Sequence, residues 1–215
     1  PRAARELRDL LLPQRPMIAD GHHRYTTSLR FSRRPDVAAR FPGAGWQMMT
    51  FTNLYGDGLA ILATHRLVRL ASGTDAEVLS ELARRLDPAR DDDWEITVET
   101  RQEKRRFRFP ERLRAERRGV ARTAYALLHD VILGEWLGPW VGDEPAIEYF
   151  KEATGEDDAL RSGRGDLLFR MRPVDRSEFE AVVQGGEVFP HKTTYFYPKL
   201  WSGLVLWELA AAPSE

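Results

Sequence analysis

The stretch MIADGHHRYTTSLR, residues 17–30, decides how the chain is read. Met17, Ile18 and Ala19 form a short apolar run suited to a buried strand. Asp20 and Gly21 break that run, and the residues from His22 onward read as a helix. A helix N-terminus leaves backbone N–H groups without intrahelical partners and carries partial positive charge, so it attracts anions. Two histidines and an arginine at such an end make a phosphate cradle. Arg24 can grip a phosphate with two N–H donors. His22 and His23 can add a donor or move a proton near neutral pH.

Helical spacing puts His22, Tyr25, Thr26 and Leu29 on one face, with the last three directed at a core. Asp20 has two readings. As an N-cap it accepts from the N–H of His22 or His23, which stabilises a helix by about 1 kcal/mol. Beside a phosphate it is instead a Mg²⁺ ligand or a base. Adjacent histidines do not face one another on a helix, so no zinc site is expected at His22 and His23.

Composition narrows the classes. The chain has 215 residues, a formal charge of −1 and no cysteine. The charge gives no broad attraction to nucleic acid or to anionic membrane, and neither partner is expected. Disulfides, thiolate metal sites and cysteine nucleophiles are excluded, which fits a cytoplasmic protein. No apolar run approaches the length of a membrane span, and no signal peptide is visible. Basic residues are lopsided, with 28 arginines against 4 lysines, and two of those lysines fall within KTTYFYPK, 192–199.

Outward from the opening stretch, 2–12 reads as a helix and 46–54 as a strand. The turn Tyr55-Gly56-Asp57-Gly58 then leads to a run at 59–70 able to pair back as a hairpin. Thr74, Asp75 and Glu77 start a helix with Val78, Leu79, Leu82 and Leu86 on one side. Strands are expected at 94–99, 147–150 and 166–172. Helices are expected at 125–137, 156–162 and 175–184, the last stopped by Gly185-Gly186. Residues 101–118 carry eight arginines and a lysine around Phe107 and Phe109. With Glu103, Glu111 and Glu116 among them, they read as a solvated edge strand and polar helix. The whole is a mixed α/β (α+β) chain read as a single unit, 1–215.

Beyond the first stretch, His65-Arg66 closes the run from Leu59, where a lone histidine is more often structural than catalytic. His129, in an apolar helix, also reads as structural. The segment 190–199 packs His191, Lys192, Thr193, Thr194, Tyr195 and Lys199 between prolines. It is a candidate polar pocket, with Lys192 facing negative charge. Hydrolase, Rossmann and Walker A signatures are absent.

Three segments in order, IADGHHRYTTSL (18–29), GDGLAILATHRLV (56–68) and GGEVFPHKTTYFYPKLWSGLV (185–205), resemble the markers of domain-of-unknown-function family 1015. Ala63 and Phe189 stand where that pattern has proline and methionine. The resemblance implies that the chain, which opens at Pro1, is the C-terminal part of a longer protein. Asp20-Gly21-His22-His23-Arg24 is also similar to the phosphate-binding turn of the ParB/sulfiredoxin superfamily, in which a strand delivers a G-x-x-R turn to a helix. Asp20, Gly21, His22 and Arg24 match the D-G-H-x-R form of the free-serine kinase within that group. His23 matches the histidine before arginine in sulfiredoxin. Sulfiredoxin's catalytic cysteine would fall at His22, which excludes sulfinic-acid reduction. These resemblances imply a nucleotide-binding, serine-kinase-like phosphotransferase. Arg24, Gly21, His22, His23 and Lys192 would hold phosphate, and Asp20, His22 and His23 would act in catalysis. ATP or ADP with Mg²⁺ on Asp20 would be the cofactor and a small hydroxyl compound the partner. The alternatives are a nucleotide-gated regulator without turnover and a non-catalytic scaffold.

Overall fold

The computed structural model describes residues 2–151, 153–201 and 203–210. The chain divides into two compact units, one of Pro1–Leu59 with Pro198–Glu215 and the other of Ala60–Tyr197.

In the first unit, α1 (Arg2–Leu11), α2 (His22–Ser32), α3 (Pro35–Arg40) and a 3₁₀ turn, Pro42–Gly45, follow one another. Pro35 sits in the first turn of α3, where its missing N–H has no partner to lose. The C-terminal segment joins this unit through Gly43: its N–H donates to Leu209 O at 2.8 Å, and Trp207 Nε1 donates to Gly43 O at 2.8 Å. Apolar burial here is slight. No residue of α1 or α2 is buried, and Tyr25, expected in a core, is exposed.

Two expectations fail in this unit. Residues 17–19 form no strand and join no sheet, and 46–54 likewise form no strand. A strand is defined by the neighbour that takes its N–H and C=O groups, and neither run has one among the described residues. Trp46, Met48, Met49 and Phe51 are left exposed.

The second unit is built on a six-stranded antiparallel sheet. Its strands are β2 (Thr64–Val68), β3 (Asp87–Pro88), β4 (Ile96–Glu99), β5 (Lys104–Arg108), β6 (Ile147–Lys151) and β7 (Leu167–Met171), in the order β3-β5-β4-β7-β2-β6. Two short strands, β1 (Ala60–Leu62) and β8 (Tyr195–Tyr197), pair separately. The run at 59–70 is thus cut at Ala63 into strands of two sheets, and its partners are 195–197 on one side and β6 and β7 on the other. The mixed α/β class holds, and the sheet does not close into a barrel.

Helices α4 (Asp75–Arg85), α5 (Ala124–Ala126), α6 (Gly138–Val141), α7 (Glu156–Arg161) and α8 (Arg176–Gln184) accompany the sheet. α4 starts where its cap predicts: Thr74 Oγ1 accepts from Glu77 N, and Glu77 Oε2 accepts from Thr74 N at 2.8 Å. Val78, Leu79 and Leu82 are buried along its inner side. After α5 the chain widens into a π-helical stretch, Leu127–Trp136, that buries Leu127, Leu128, Val131, Ile132 and Leu133. Several arginines of 101–118 pair with carboxylates: Arg105 with Glu103, Arg106 with Asp91, Arg108 with Asp93 and Arg114 with Glu95. Short 3₁₀ turns, Glu111–Leu113 and Gly119–Arg122, replace the polar helix expected there.

All five residues of β2 are buried, so both its faces are covered. Leu67 packs with Phe150, Ala159, Leu160 and Leu168 on the side of α7. Gly165 is fitted against the same strand: a Cβ there would lie 2.6 Å from Leu67 Cγ and 3.1 Å from Val68 O. Gly165→Ala is therefore expected to destabilise the protein by about 2 kcal/mol through overpacking against backbone. Urea unfolding of the variant beside the parent measures it.

Candidate functional site

The turn at 20–24 is formed by a backbone reversal that glycine permits. Gly21 has φ of 91° and immediately precedes α2. A side chain there would be strained and would also meet Arg24, whose Nη2 lies 3.0 Å from the position of a Cβ. Arg24 folds back over this turn, and its Nη2 donates to Asp20 Oδ2 at 3.1 Å. Lys199 Nζ lies 3.3 Å from Asp20 Oδ1. Asp20 is thus bracketed by two cations and does not cap α2, which has no side-chain cap at all. His22 and His23 stand exposed in its first turn. All three charged side chains are open to water, with Arg24 71 %, Asp20 53 % and Lys199 38 % exposed, so the pairs are exchangeable and contribute little to stability.

The other sequence candidates lie in the second unit. His65 and Arg66 are in the middle of β2, not at its end, and point to opposite faces. His65 Nδ1 accepts from Met171 N at 3.3 Å, which puts its proton on Nε2, 4.0 Å from Glu156 Oε1. Burial, helped by Arg170 and opposed by Glu156, lowers its pKa to about 4, so the ring is neutral. Burial alone would raise the Glu156 carboxyl. The backbone N–H groups at the start of α7 outweigh it, with Ala153 N at 3.0 Å, Thr154 N at 2.9 Å and Arg170 Nη1 at 3.0 Å, and the carboxyl stays low.

Arg66 is fully buried. Its Nε donates to His129 Nε2 at 3.1 Å, its Nη1 to Thr64 O and Oγ1, and its Nη2 to Lys192 O at 2.9 Å and more distantly to His191 O. The guanidinium lies over two rings, 4.8 Å from that of Tyr125 and 5.3 Å from that of Tyr149. Thr64 Oγ1 donates to the carbonyls of Lys192 and Thr193. Thr193 is buried and its hydroxyl donates to Pro190 O. Thr194 is half-buried, and Tyr195 lies on β8 with Lys151 Nζ 4.5 Å above its ring. Lys192 Nζ is 5.7 Å from the Tyr149 ring.

Of the two lysines of KTTYFYPK, Lys199 contacts Asp20 within the first unit, and Lys192 contacts Arg66 through its carbonyl and Tyr149 through its ammonium within the second. His129 reads as structural from the sequence, and Tyr149 and Lys151 carry no functional mark in it. The only signal for the latter two is their period-two spacing on β6, opposite Arg66 and Thr64, and that is visible only once the pairing is known.

Residues 1–130 match the family described as a protein of unknown function, DUF1015. The chain belongs to that family. The match takes in the first two marker segments and ends before the third, at 185–205. A comparison with curated proteins gives no match. Among solved structures, the chain is similar to a conserved hypothetical protein from Pyrococcus furiosus, at 16% identity and a TM-score of 0.46 over 83% of this chain. It is similar to a free serine kinase in complex with AMP, at 16% identity and 0.47 over 83%, and to SbnI with C-terminal truncation from Staphylococcus aureus, at 20% and 0.48 over 86%. The matches span 68%, 66% and 62% of those three chains.

No group of three or more histidine, aspartate or glutamate side chains is gathered for a metal ion among the described residues. No helix among them is long and apolar enough to cross a membrane.

Proposed function

We propose that the 20–24 turn binds the phosphates of a nucleotide and that the full protein transfers a phosphoryl group to a small hydroxyl acceptor of the serine class. The observation that carries this reading is the bracketing of Asp20 by Arg24 and Lys199 beside the uncapped N-terminus of α2. Two cations meet one exposed carboxylate beside a helix N-terminus that no side chain caps. A polyphosphate offers more charge and more acceptors than that carboxylate, and the likeness to the D-G-H-x-R turn points the same way.

In this reading Arg24 and Lys199 turn from Asp20 to phosphate oxygens, and His22 and His23 add N–H donors. The freed Asp20 carboxylate takes the proton of the acceptor hydroxyl as the acceptor oxygen bonds to phosphorus. The bond from that phosphorus to the bridging oxygen breaks, and the nucleotide leaves one phosphate shorter. Mg²⁺, when bound, would neutralise phosphate charge. One carboxylate with the nucleotide's own oxygens is a common ligand set for it, and Asp20 fits that role. Catalysis by positioning and charge neutralisation needs little more from the protein.

Calorimetric titration of the full-length protein with ATP, ADP and CTP in the presence of Mg²⁺, beside Arg24→Ala, tests the site. Binding weakened at least tenfold in the variant is expected, since a charge-assisted pair of hydrogen bonds is lost. Equal binding by both proteins, or none by the folded parent, overturns the reading. A ³¹P spectrum after incubation with L-serine then separates transfer from binding without turnover, which is the behaviour of a nucleotide-gated regulator.

A further inference from the structure

We infer that the unit formed by Ala60–Tyr197 carries an anion site of its own, in which Lys151 and Lys192 receive a small oxyanion, a carboxylate or phosphate ester, at the ring of Tyr149. The inference is independent of the 20–24 turn, whose residues belong to the other unit.

The argument begins with the register of β2 on β6. Thr64 stands opposite Lys151 and Arg66 opposite Tyr149, so these four side chains share one face of the sheet. The 190–195 segment meets that face: the Lys192 carbonyl accepts from both Thr64 and Arg66, and the Tyr195 ring lies beneath Lys151 Nζ. His191 meets the edge of the Tyr149 ring at 5.9 Å, and His129 stacks on it at 6.4 Å. Two cations and two imidazoles thus surround Tyr149, and a third cation, Lys151, lies over the ring of Tyr195 on the same face.

Among the described residues, no carboxylate pairs with them. Lys104 and Lys199 pair with Glu99 and Asp20, whereas Lys151 and Lys192 rest over tyrosine rings and make no ion pair among the described residues. Arg66 is more telling, because its contacts are carbonyls, a hydroxyl, an imidazole and two ring faces, none of them bearing negative charge. A buried charge normally has a counter-charge. Here its uncompensated field acts on whatever lies at the exposed end of the cluster, where the ammonium groups of Lys151 and Lys192 stand. Both lysines are exposed, and a cation–π contact at a solvent-exposed ammonium is weak, so each is readily drawn to an anion.

The local backbone is also held in an unfavourable shape. Lys192 has φ of 53°, left-handed and rare for a residue with a side chain. Arg66 and Thr64 together fix its carbonyl, and the Thr193 hydroxyl closes the turn onto Pro190 O. Such strain persists where surrounding contacts over-determine it, and it gathers at ligand sites. Arg66 is a positioning residue in this arrangement. It presents Lys192 and His191 from below without reaching the ligand.

The test follows, in the full-length protein, the NMR ring signals of the five histidines of this sequence while inorganic phosphate and, separately, acetate are added at constant ionic strength. A saturable shift of the His191 signal is expected, retained in Arg24→Ala, which disables the other site. Lys151→Gln combined with Lys192→Gln should raise the apparent dissociation constant at least tenfold, with Lys192→Arg restoring most of the affinity. Unchanged His65 and His129 signals in these exposed-residue variants report an intact fold. Saturation by phosphate alone assigns the phosphate-ester class, and saturation by acetate the carboxylate class. No saturable response of His191 to either anion, or equal affinity in the double variant, overturns the inference.

Discussion

Arg66→Ala is expected to destabilise the protein by about 4 kcal/mol, the largest effect of any single substitution considered for this chain. The parent guanidinium is fully buried between the rings of Tyr125 and Tyr149 and makes hydrogen bonds with all three of its nitrogens. Alanine leaves a void the size of most of an arginine side chain and takes a donor from His129 Nε2 and from the Lys192 carbonyl. Cavity and lost hydrogen bonds act together, and each is worth on the order of 1–3 kcal/mol or more. A second variant separates charge from volume. Arg66→Met fills most of the space and removes the penalty of burying an uncompensated charge, so about half of the loss should return. Urea unfolding followed by far-UV circular dichroism gives both values. A loss below 1 kcal/mol for Arg66→Ala would mean that the guanidinium's contacts do not hold in solution. A methionine variant no better than alanine would mean that donors, not volume, dominate.

The contrast between what the sequence discloses about this unit and what it conceals follows the range of the interactions. α4 and α8 are legible because their signals are local. Thr74 and Glu77 lie three residues apart, and Asp175 accepts from Ser177 N two residues on at 2.8 Å. Strands β4, β6 and β7 show as apolar or alternating runs because both or one of their faces are covered. The failures among the strands are failures of partnership. Residues 46–54 have strand composition and no neighbour, and 59–70 has two neighbours and is divided between them at Ala63. Leu62 pairs with Tyr195, a contact that nothing local to either residue announces. The π-helical widening at Leu127–Trp136 is equally silent, since an apolar helix of that length has the same composition whichever turn it adopts.

The same distinction runs through the candidate sites. Asp20, Gly21 and Arg24 are found together because they are neighbours in the chain, and Arg24 returns to Asp20 across one helical turn. Lys199 reaches that turn from far along the chain, a contact that no local pattern announces. Tyr149 and Lys151 carry no local mark of function. They enter only through the β2–β6 register, which turns two ordinary strand residues into the flank of a cationic cluster.

Acidification gives the second large effect. His65 is 4 % exposed, and its pKa is lowered to about 4, by burial first and the Arg170 charge second. In the unfolded chain the same ring titrates near 6.5. Between those values the unfolded state binds a proton that the folded state refuses, so stability falls as the pH drops through this window and levels off below it. One such proton gives a slope of about 1.4 kcal/mol per pH unit and a total of up to about 3 kcal/mol. His129, lowered to about 4 by burial and by Arg66, has the same sign. His65→Gln removes only its own share, so unfolding free energies from pH 7 to pH 4 should fall less steeply in the variant by about one proton. The sign discriminates between two pictures of the His65–Glu156 contact. A protonated His65 paired with Glu156 would have a raised pKa, and the parent would then gain stability over the variant as the pH falls toward 6. The 4.0 Å separation, the N–H that Met171 donates to Nδ1, and the engagement of Glu156 by Ala153, Thr154 and Arg170 all favour the neutral ring. Parallel stability curves for parent and variant across this range would show that His65 titrates alike in both states, and the desolvated, neutral histidine would have to be abandoned.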